Sequence, residues 1–124
     1  MADEAVKYDL IHGISTLTLN RPESKNSLSV EIMNALGDNL TKAIDDSEVR
    51  VIMLTNNGNT FCAGANLKDP NADEVARYSL VDIFNLMQGS PKPVVGRIAG
   101  HCMGGGVGLA AACDISIAAD DVLI

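Results

Sequence analysis

Residues 91–112 read PKPVVGRIAGHCMGGGVGLAAA. Pro91 and Pro93 punctuate a turn, and Val94 to Ile98 has the length and make-up of a short buried strand. Gly100 breaks it, Gly104, Gly105 and Gly106 follow in a row, and Val107 to Ala112 supplies the small apolar residues of a buried helix's first turns. A strand, a glycine loop and a helix start leave backbone N–H groups unpaired at the positive end of a helix. Such a place receives an anion, or an oxygen that becomes anionic during a reaction. Consecutive glycines also serve close packing of a helix against a strand, and spacing alone leaves that reading open. No Gly-Lys-Ser/Thr follows, so a Walker loop is excluded. Gly106-Val107-Gly108-Leu109-Ala110-Ala111 matches a dinucleotide fingerprint weakly, and the acidic residue which that motif wants about 20 positions on falls beyond Ile124.

Upstream, Val6 to Ile11 and Ile14 to Asn20 read as two strands joined at His12-Gly13, a hairpin signal. Arg21-Pro22 closes the second, and Glu23 to Ser27 is a polar loop. Ser29 is a good N-cap with Glu31 in the first turn, and Val30, Met33, Leu36, Leu40, Ala43 and Ile44 recur at helical spacing up to Asp46 or Ser47. Val51 to Thr55 is a short strand expected to be buried on both faces, and Asn56 to Asn59 must turn. Thr60 to Lys68, TFCAGANLK, is small, apolar and nearly uncharged, which is unusual for a surface loop. A small side chain there, such as Ala65, lets a ligand reach the backbone N–H. Asp69-Pro70-Asn71 turns the chain and can start a helix, and Val75, Tyr78, Leu80, Val81, Phe84, Leu86 and Met87 predict that helix up to Gln88, with Gly89 as its stop. Ile115 to Ala118 reads as a last strand. Three successive strand–helix units, mostly parallel, follow from this order.

The chain has 124 residues, which bounds it to one domain or part of one. Its 47% hydrophobic content is enough for a core, and with 3% aromatics that core is mostly aliphatic. A formal net charge of -7 argues against nucleic acid and against an anionic membrane surface as partners. A local basic rim can still receive an anionic ligand. Three cysteines without ligand-like spacing read as free thiols in a reducing compartment, and nothing predicts a metal site. The acidic start lacks the apolar run of a secretory signal, no stretch is long enough to span a bilayer, and a cytoplasmic protein is expected.

Three motifs stand in a fixed order: Arg21 to Leu28 (RPESKNSL), Phe61 to Lys68 (FCAGANLK), and Pro91-Lys92-Pro93 with Gly100 to Gly106 (GHCMGGG), trailed by Ala112-Cys113-Asp114-Ile115. Together they resemble the crotonase superfamily, the enoyl-CoA hydratase/isomerase family, over essentially the whole chain. The resemblance implies an α/β fold, a crotonase-like spiral of β-β-α units, truncated, with residues 1–124 forming the N-terminal part of a single domain. It implies an enzyme of fatty acid metabolism acting on an acyl-CoA thioester. Coenzyme A then belongs to the substrate, no separate cofactor is expected, and the assembly is a homo-oligomer, a trimer or hexamer. The catalytic groups it implies are the backbone N–H groups of Ala65 and Gly105, which polarise the thioester carbonyl as an oxyanion hole. Ser24, Lys25, Ser27, Ala63, Ala65, Asn66, Leu67, Lys68, Gly104 and Gly105 would line the acyl-CoA, with Lys25 near phosphate as a point charge.

One position departs from the pattern. Hydratases of this family carry a glutamate two residues after the glycine run, and here that position is Gly108. The second family glutamate belongs to a later segment. Nothing from Gly100 to Ala112 is acidic, whereas adding water to a double bond requires a proton moved on and off. An isomerase or other one-base relative therefore fits better than a two-glutamate hydratase, and the alternative is a non-catalytic CoA-binding or assembly module. His101 is expected to bond backbone, Asp114 to cap or pair within the fold, Cys62 to be a buried inert thiol, and Asp82 and Asp121 to be solvated. A half-length spiral would leave apolar edges exposed and depend on association.

Overall fold

The hairpin closes as its turn chemistry requires. In the computed structural model, which describes residues 3–66, 68, 69 and 73–124, β1 (Val6–Ile11) pairs antiparallel with β2 (Ile14–Leu19) in full register from Val6↔Leu19 to Ile11↔Ile14. His12 and Gly13 both take positive φ, 51° and 81°, the two-residue turn whose twist matches the flanking strands. Period-2 alternation puts Ser15, Leu17 and Leu19 of β2 on the core face.

After a 3-10 turn at Pro22–Ser24, α1 (Val30–Asp45) starts at Ser29, whose Oγ accepts from the Ile32 N–H at 3.1 Å. Its helical stripe buries Ile32, Met33, Leu36, Leu40 and Ala43. At its far end Lys92 Nζ donates to the Ala43 and Asp46 carbonyls, placing a cation on the negative end of the helix. The chain then runs β3 (Val51–Asn56), β4 (Thr60–Cys62), α2 (Leu80–Gly89), β5 (Val94–Ile98), β6 (His101–Cys102), α3 (Gly105–Ala112) and β7 (Ile115–Ala118).

Five strands form one sheet in the order β1-β2-β3-β5-β7, parallel from β2 onward. β4 and β6 form a second, two-stranded parallel sheet. Each unit after the first therefore delivers one strand to each sheet and then a helix: β3–β4–α2, then β5–β6–α3. The core joins Leu17, Leu19, Ile52 and Leu54 of the large sheet to Ile32, Leu36 and Leu40 of α1, Ile83 and Met87 of α2, and Leu109 of α3.

Four expectations from the residues are corrected. Thr60–Cys62 and His101–Cys102 are strands, where the residue pattern read loops; two or three residues carry no measurable period, so only the partner strand defines them. α2 begins at Leu80, well after Val75 and Tyr78. Val75 is 92% exposed, and the Tyr78 ring lies on α1 at Gly37. Ser79 and Asp82 form a reciprocal capping box there, so Asp82 does more than meet solvent. β3 is buried fully on one face only, because Val51 and Met53 are half-exposed. Of the expected turn at Asp69-Pro70-Asn71, Pro70 and Asn71 lie outside the described residues.

Candidate functional site

The three motifs meet, and backbone hydrogen bonds join them. The Ala63 N–H donates to the Lys25 carbonyl at 3.1 Å, and the Leu28 N–H to the Gly64 carbonyl at 2.7 Å. Leu28 and Ala65 form an isolated parallel bridge. On the other side, the Met103 N–H donates to the Cys62 carbonyl at 3.1 Å. The middle motif is thus stitched to the polar loop before it and to the glycine loop after it.

Gly64 makes the second junction possible. Its φ is +86°, a region that favours glycine. A β-carbon built there would lie 3.0 Å from Gly105 N and 3.0 Å from the Met103 carbonyl oxygen. Any side chain would push the two loops apart at the Gly105 amide.

Gly105 opens α3, with Gly104 as N-cap at φ 53°. The Gly106 and Val107 N–H groups are spent on the Met103 and Gly104 carbonyls, at 2.9 and 3.0 Å. Among the described residues, neither the Ala65 nor the Gly105 N–H donates to a protein acceptor. Two unpaired amides, one on each of two adjoining loops and one of them at a helix start, are suited to hold an oxygen that gains negative charge.

Beside them lies an open cleft of about 560 Å³ lined by Glu23, Ser24, Lys25, Ser27, Ala65, Asn66 and Lys68. Six of the expected substrate-contacting residues share it: Ser24, Lys25, Ser27, Ala65, Asn66 and Lys68. Of the rest, Ala63 is half-buried and held through its amide, Gly104 is exposed at the helix cap, and Gly105 is half-buried one residue on. Leu67 lies outside the described residues. Among the described residues neither Lys25 nor Lys68 forms an ion pair. The cleft thus presents positive charge in a chain of net charge -7. The Ser24 and Ser27 hydroxyls donate within their own loop, to the Arg21 and Ser24 carbonyls.

Two residues that shape the site escaped the sequence reading. Asn26 is fully buried: its Oδ1 accepts from the Arg21 N–H at 2.7 Å, and its Nδ2 donates to the Thr60 and Asn57 carbonyls at 2.8 and 3.1 Å. It fixes the lysine loop to the start of β4. Asp69 accepts from the Val30 N–H at 2.9 Å, tying the far end of the middle motif to the α1 N-terminus. The only sequence signal for either was a residue type suited to turns and caps.

His101, Asp114 and Cys62 sit as expected. His101 Nδ1 accepts from the Leu123 N–H at 3.0 Å, and Asp114 accepts from the Val94 N–H at 2.7 Å. Burial pushes the Cys62 thiol up to about 11, which leaves it protonated and unreactive at neutral pH. Gly108 stands one turn into α3 from Gly105 and is half-buried. Among the described residues no cluster of metal-ligating side chains occurs, and no helix is long and apolar enough to cross a membrane.

Residues 10–124 match the family model described as enoyl-CoA hydratase/isomerase. Over 112 residues the chain is 38% identical to the Mycobacterium leprae protein named "Probable enoyl-CoA hydratase echA6", covering 88% of this chain and 45% of that one. Among solved structures it resembles one named as a probable enoyl-CoA hydratase of Mycobacterium thermoresistibile, with 35% identity, a TM-score of 0.84, and coverage of 97% of this chain and 52% of the other. It also resembles an enoyl-CoA hydratase of Mycobacterium marinum, with 28% identity, a TM-score of 0.86, and coverage of 95% and 59%. The architecture is that of part of the crotonase fold, and the chain spans about half the length of the relatives it matches.

Proposed function

The chain belongs to the enoyl-CoA hydratase/isomerase family, and on that footing we propose that it takes an acyl-CoA thioester into the cleft beside Ala65. The Ala65 and Gly105 amides receive the thioester oxygen. Lys25 and Lys68 meet the phosphates of the nucleotide end as point charges, and Ser24, Ser27 and Asn66 border the connecting arm.

One observation carries this reading: among the described residues, two amides on loops that adjoin at Gly64 have no protein acceptor, next to a cleft holding two lysines that form no ion pair. When a thioester loses a proton from the carbon next to its carbonyl, charge gathers on the carbonyl oxygen. A preplaced donor lowers that barrier by about 2.7–4 kcal/mol. Backbone donors need small neighbours, which accounts for Gly64, Ala65 and Gly104 at the junction.

The fold exposes apolar residues on β7 and after it, which supports work as a homo-oligomer. A second reading, a module that recognises CoA without turnover, is favoured by one feature: Gly108 carries no carboxylate, and none lies between Gly100 and Ala112.

Calorimetric titration with butyryl-CoA, CoA and NAD tests the binding, with acyl-CoA expected to bind and NAD not. Preference for NAD, or no thioester binding, overturns the proposal. Turnover of crotonyl-CoA by the same chain then separates enzyme from binding module. Gly64→Ala is expected to weaken butyryl-CoA binding at least tenfold, because its β-carbon intrudes on the Gly105 amide.

A further inference from the structure

Asn57-Gly58 is the one Asn-Gly dipeptide of the sequence, and it forms the exposed bend between β3 and β4. That bend leans on the end of β2 and on the first motif. The Asn57 N–H donates to the Leu19 carbonyl at 2.9 Å, and Asn57 Nδ2 donates to Asn20 Oδ1 at 2.9 Å. The Asn57 carbonyl accepts from Nδ2 of the buried Asn26 at 3.1 Å. Gly58 has φ +84° and lies against the Pro22 ring, where a β-carbon would be 2.6 Å from Pro22 Cβ. Glycine at 58 is therefore required by the backbone and by the packing alike. Among the described residues the Gly58 N–H donates to no protein acceptor.

We propose that Asn57 is a site of spontaneous deamidation, and that the reaction releases the lysine loop. The Gly58 nitrogen attacks Asn57 Cγ, its proton passes to water, and Nδ2 leaves as ammonia, closing a five-membered imide. Water then opens the imide at one of its two carbonyls, giving aspartate or isoaspartate at 57. The sum is one water taken up and one ammonia lost, with no oxidant or reductant. Asparagine is among the thermally labile side chains, and a following glycine, with no β-carbon, leaves the attack open. Either product breaks the buttress. As aspartate, residue 57 has no N–H to give Asn20 Oδ1 and sets a negative charge beside it. Asn20 cannot turn its amide round without losing the bond from its Nδ2 to the Glu4 carbonyl, at 3.0 Å. As isoaspartate, the chain reaches Gly58 through Cγ, one methylene longer. The carbonyl that Asn26 holds then becomes a carboxylate no longer fixed in the main chain, and Gly58 shifts on Pro22. The modification stands on these contacts alone, and its effect on the cleft rests on the acyl-CoA reading above.

Freshly purified chain is compared with chain held in warm, mildly alkaline buffer. Peptide mass spectrometry should find position 57 heavier by one mass unit after ageing, with part of the product methylated by an isoaspartyl methyltransferase. The rate should rise with pH, because the Gly58 nitrogen attacks after losing its proton. Asn59, also exposed but followed by Thr60, is the internal control and should stay intact. Trypsin should cut after Lys25 about fivefold faster in the modified chain, because Asn26 no longer ties that loop down. Butyryl-CoA should bind the modified chain about threefold more weakly. Asn57→Asp should show part of both effects without ageing, and Asn57→Gln should abolish the mass change at 57. If Asn57→Gln fails to fold by circular dichroism, the fresh and aged wild type carry the comparison. Position 57 unchanged, position 57 changing no faster than Asn59, or modified chain cut after Lys25 at the fresh rate would each overturn the proposal. If fresh chain binds butyryl-CoA and modified chain binds it equally well, this inference fails alone. If fresh chain does not bind butyryl-CoA, the acyl-CoA reading fails, and the mass and trypsin results still decide this one.

Discussion

Asn26 shows how much one residue can hold. Its amide serves one backbone donor and two backbone acceptors from three segments, and its φ of 51° lies where asparagine is tolerated better than most residues. Asn26→Ala would leave the Thr60 carbonyl and the Arg21 N–H without these partners and strain the backbone. Urea denaturation should show a loss of roughly 2–4 kcal/mol, with weaker butyryl-CoA binding because the lysine loop comes loose. Cys62 makes a different prediction. Burial raises its thiol from an ordinary value near 9 to about 11, so the folded state binds the proton more tightly than the unfolded chain. The stabilisation is fully present below pH 9 and is lost as pH rises through 11. Chemical denaturation across pH 8–11 should show stability falling in that window, and Cys62→Ser should flatten the fall. A thiol reagent at pH 7.5 should label Cys62 only after denaturant is added.

Between elements, the join of α2 to α1 carries a prediction whose sign runs against intrinsic propensity. Arg77 pairs with Asp38 through two hydrogen bonds of 2.7 and 2.8 Å, and the Arg77 N–H donates to Asn34 at 2.7 Å. The Arg77 guanidinium, with help from the Tyr78 hydroxyl, holds the Asp38 carboxyl below its usual range. The Tyr78 ring fills the gap above Gly37, where a β-carbon would collide with ring atom Cδ2. Glycine to alanine inside a helix normally stabilises by up to about 1 kcal/mol. Gly37→Ala should instead destabilise by about 1–3 kcal/mol, because the ring must leave its seat. The Tyr78→Ala/Gly37→Ala pair should recover the propensity gain, and thermal melts of the four proteins would measure the coupling. A melt in which Gly37→Ala alone is stabilising would contradict this packing.

For the molecule as a whole, the far edge of the large sheet is its open flank. β7 is the last strand in the order, and Ile115 and Ile117 share a face at 58% and 65% exposure. Leu123 and Ile124 add to the exposed apolar surface. Among the described residues β7 pairs only with β5, and a free strand edge beside apolar side chains favours association. Sedimentation velocity should show a mass that rises with concentration, and Ile115→Lys/Ile117→Lys should weaken self-association at least tenfold. A monomer at all concentrations would contradict this.

The amino-acid sequence by itself determined what local physics can write. The His12-Gly13 hairpin, the Ser29-capped α1, the strands at β3, β5 and β7, and the unpaired helix start behind three glycines all rest on turn chemistry or on a period long enough to recognise. The order of the three motifs placed the chain in its family. Only the tertiary structure decided which backbone edges pair and which side chains collide. It made strands of β4 and β6, moved the α2 start to Ser79, joined the motifs through Asn26, Asp69 and Gly64, and set Phe84 against Gly108. Apart from the α2 start, whose capping box is local, these depend on groups from 24 (Phe84 to Gly108) to 41 (Thr60 to His101) residues apart in the chain, and no local pattern encodes a hydrogen bond or a steric contact over that separation.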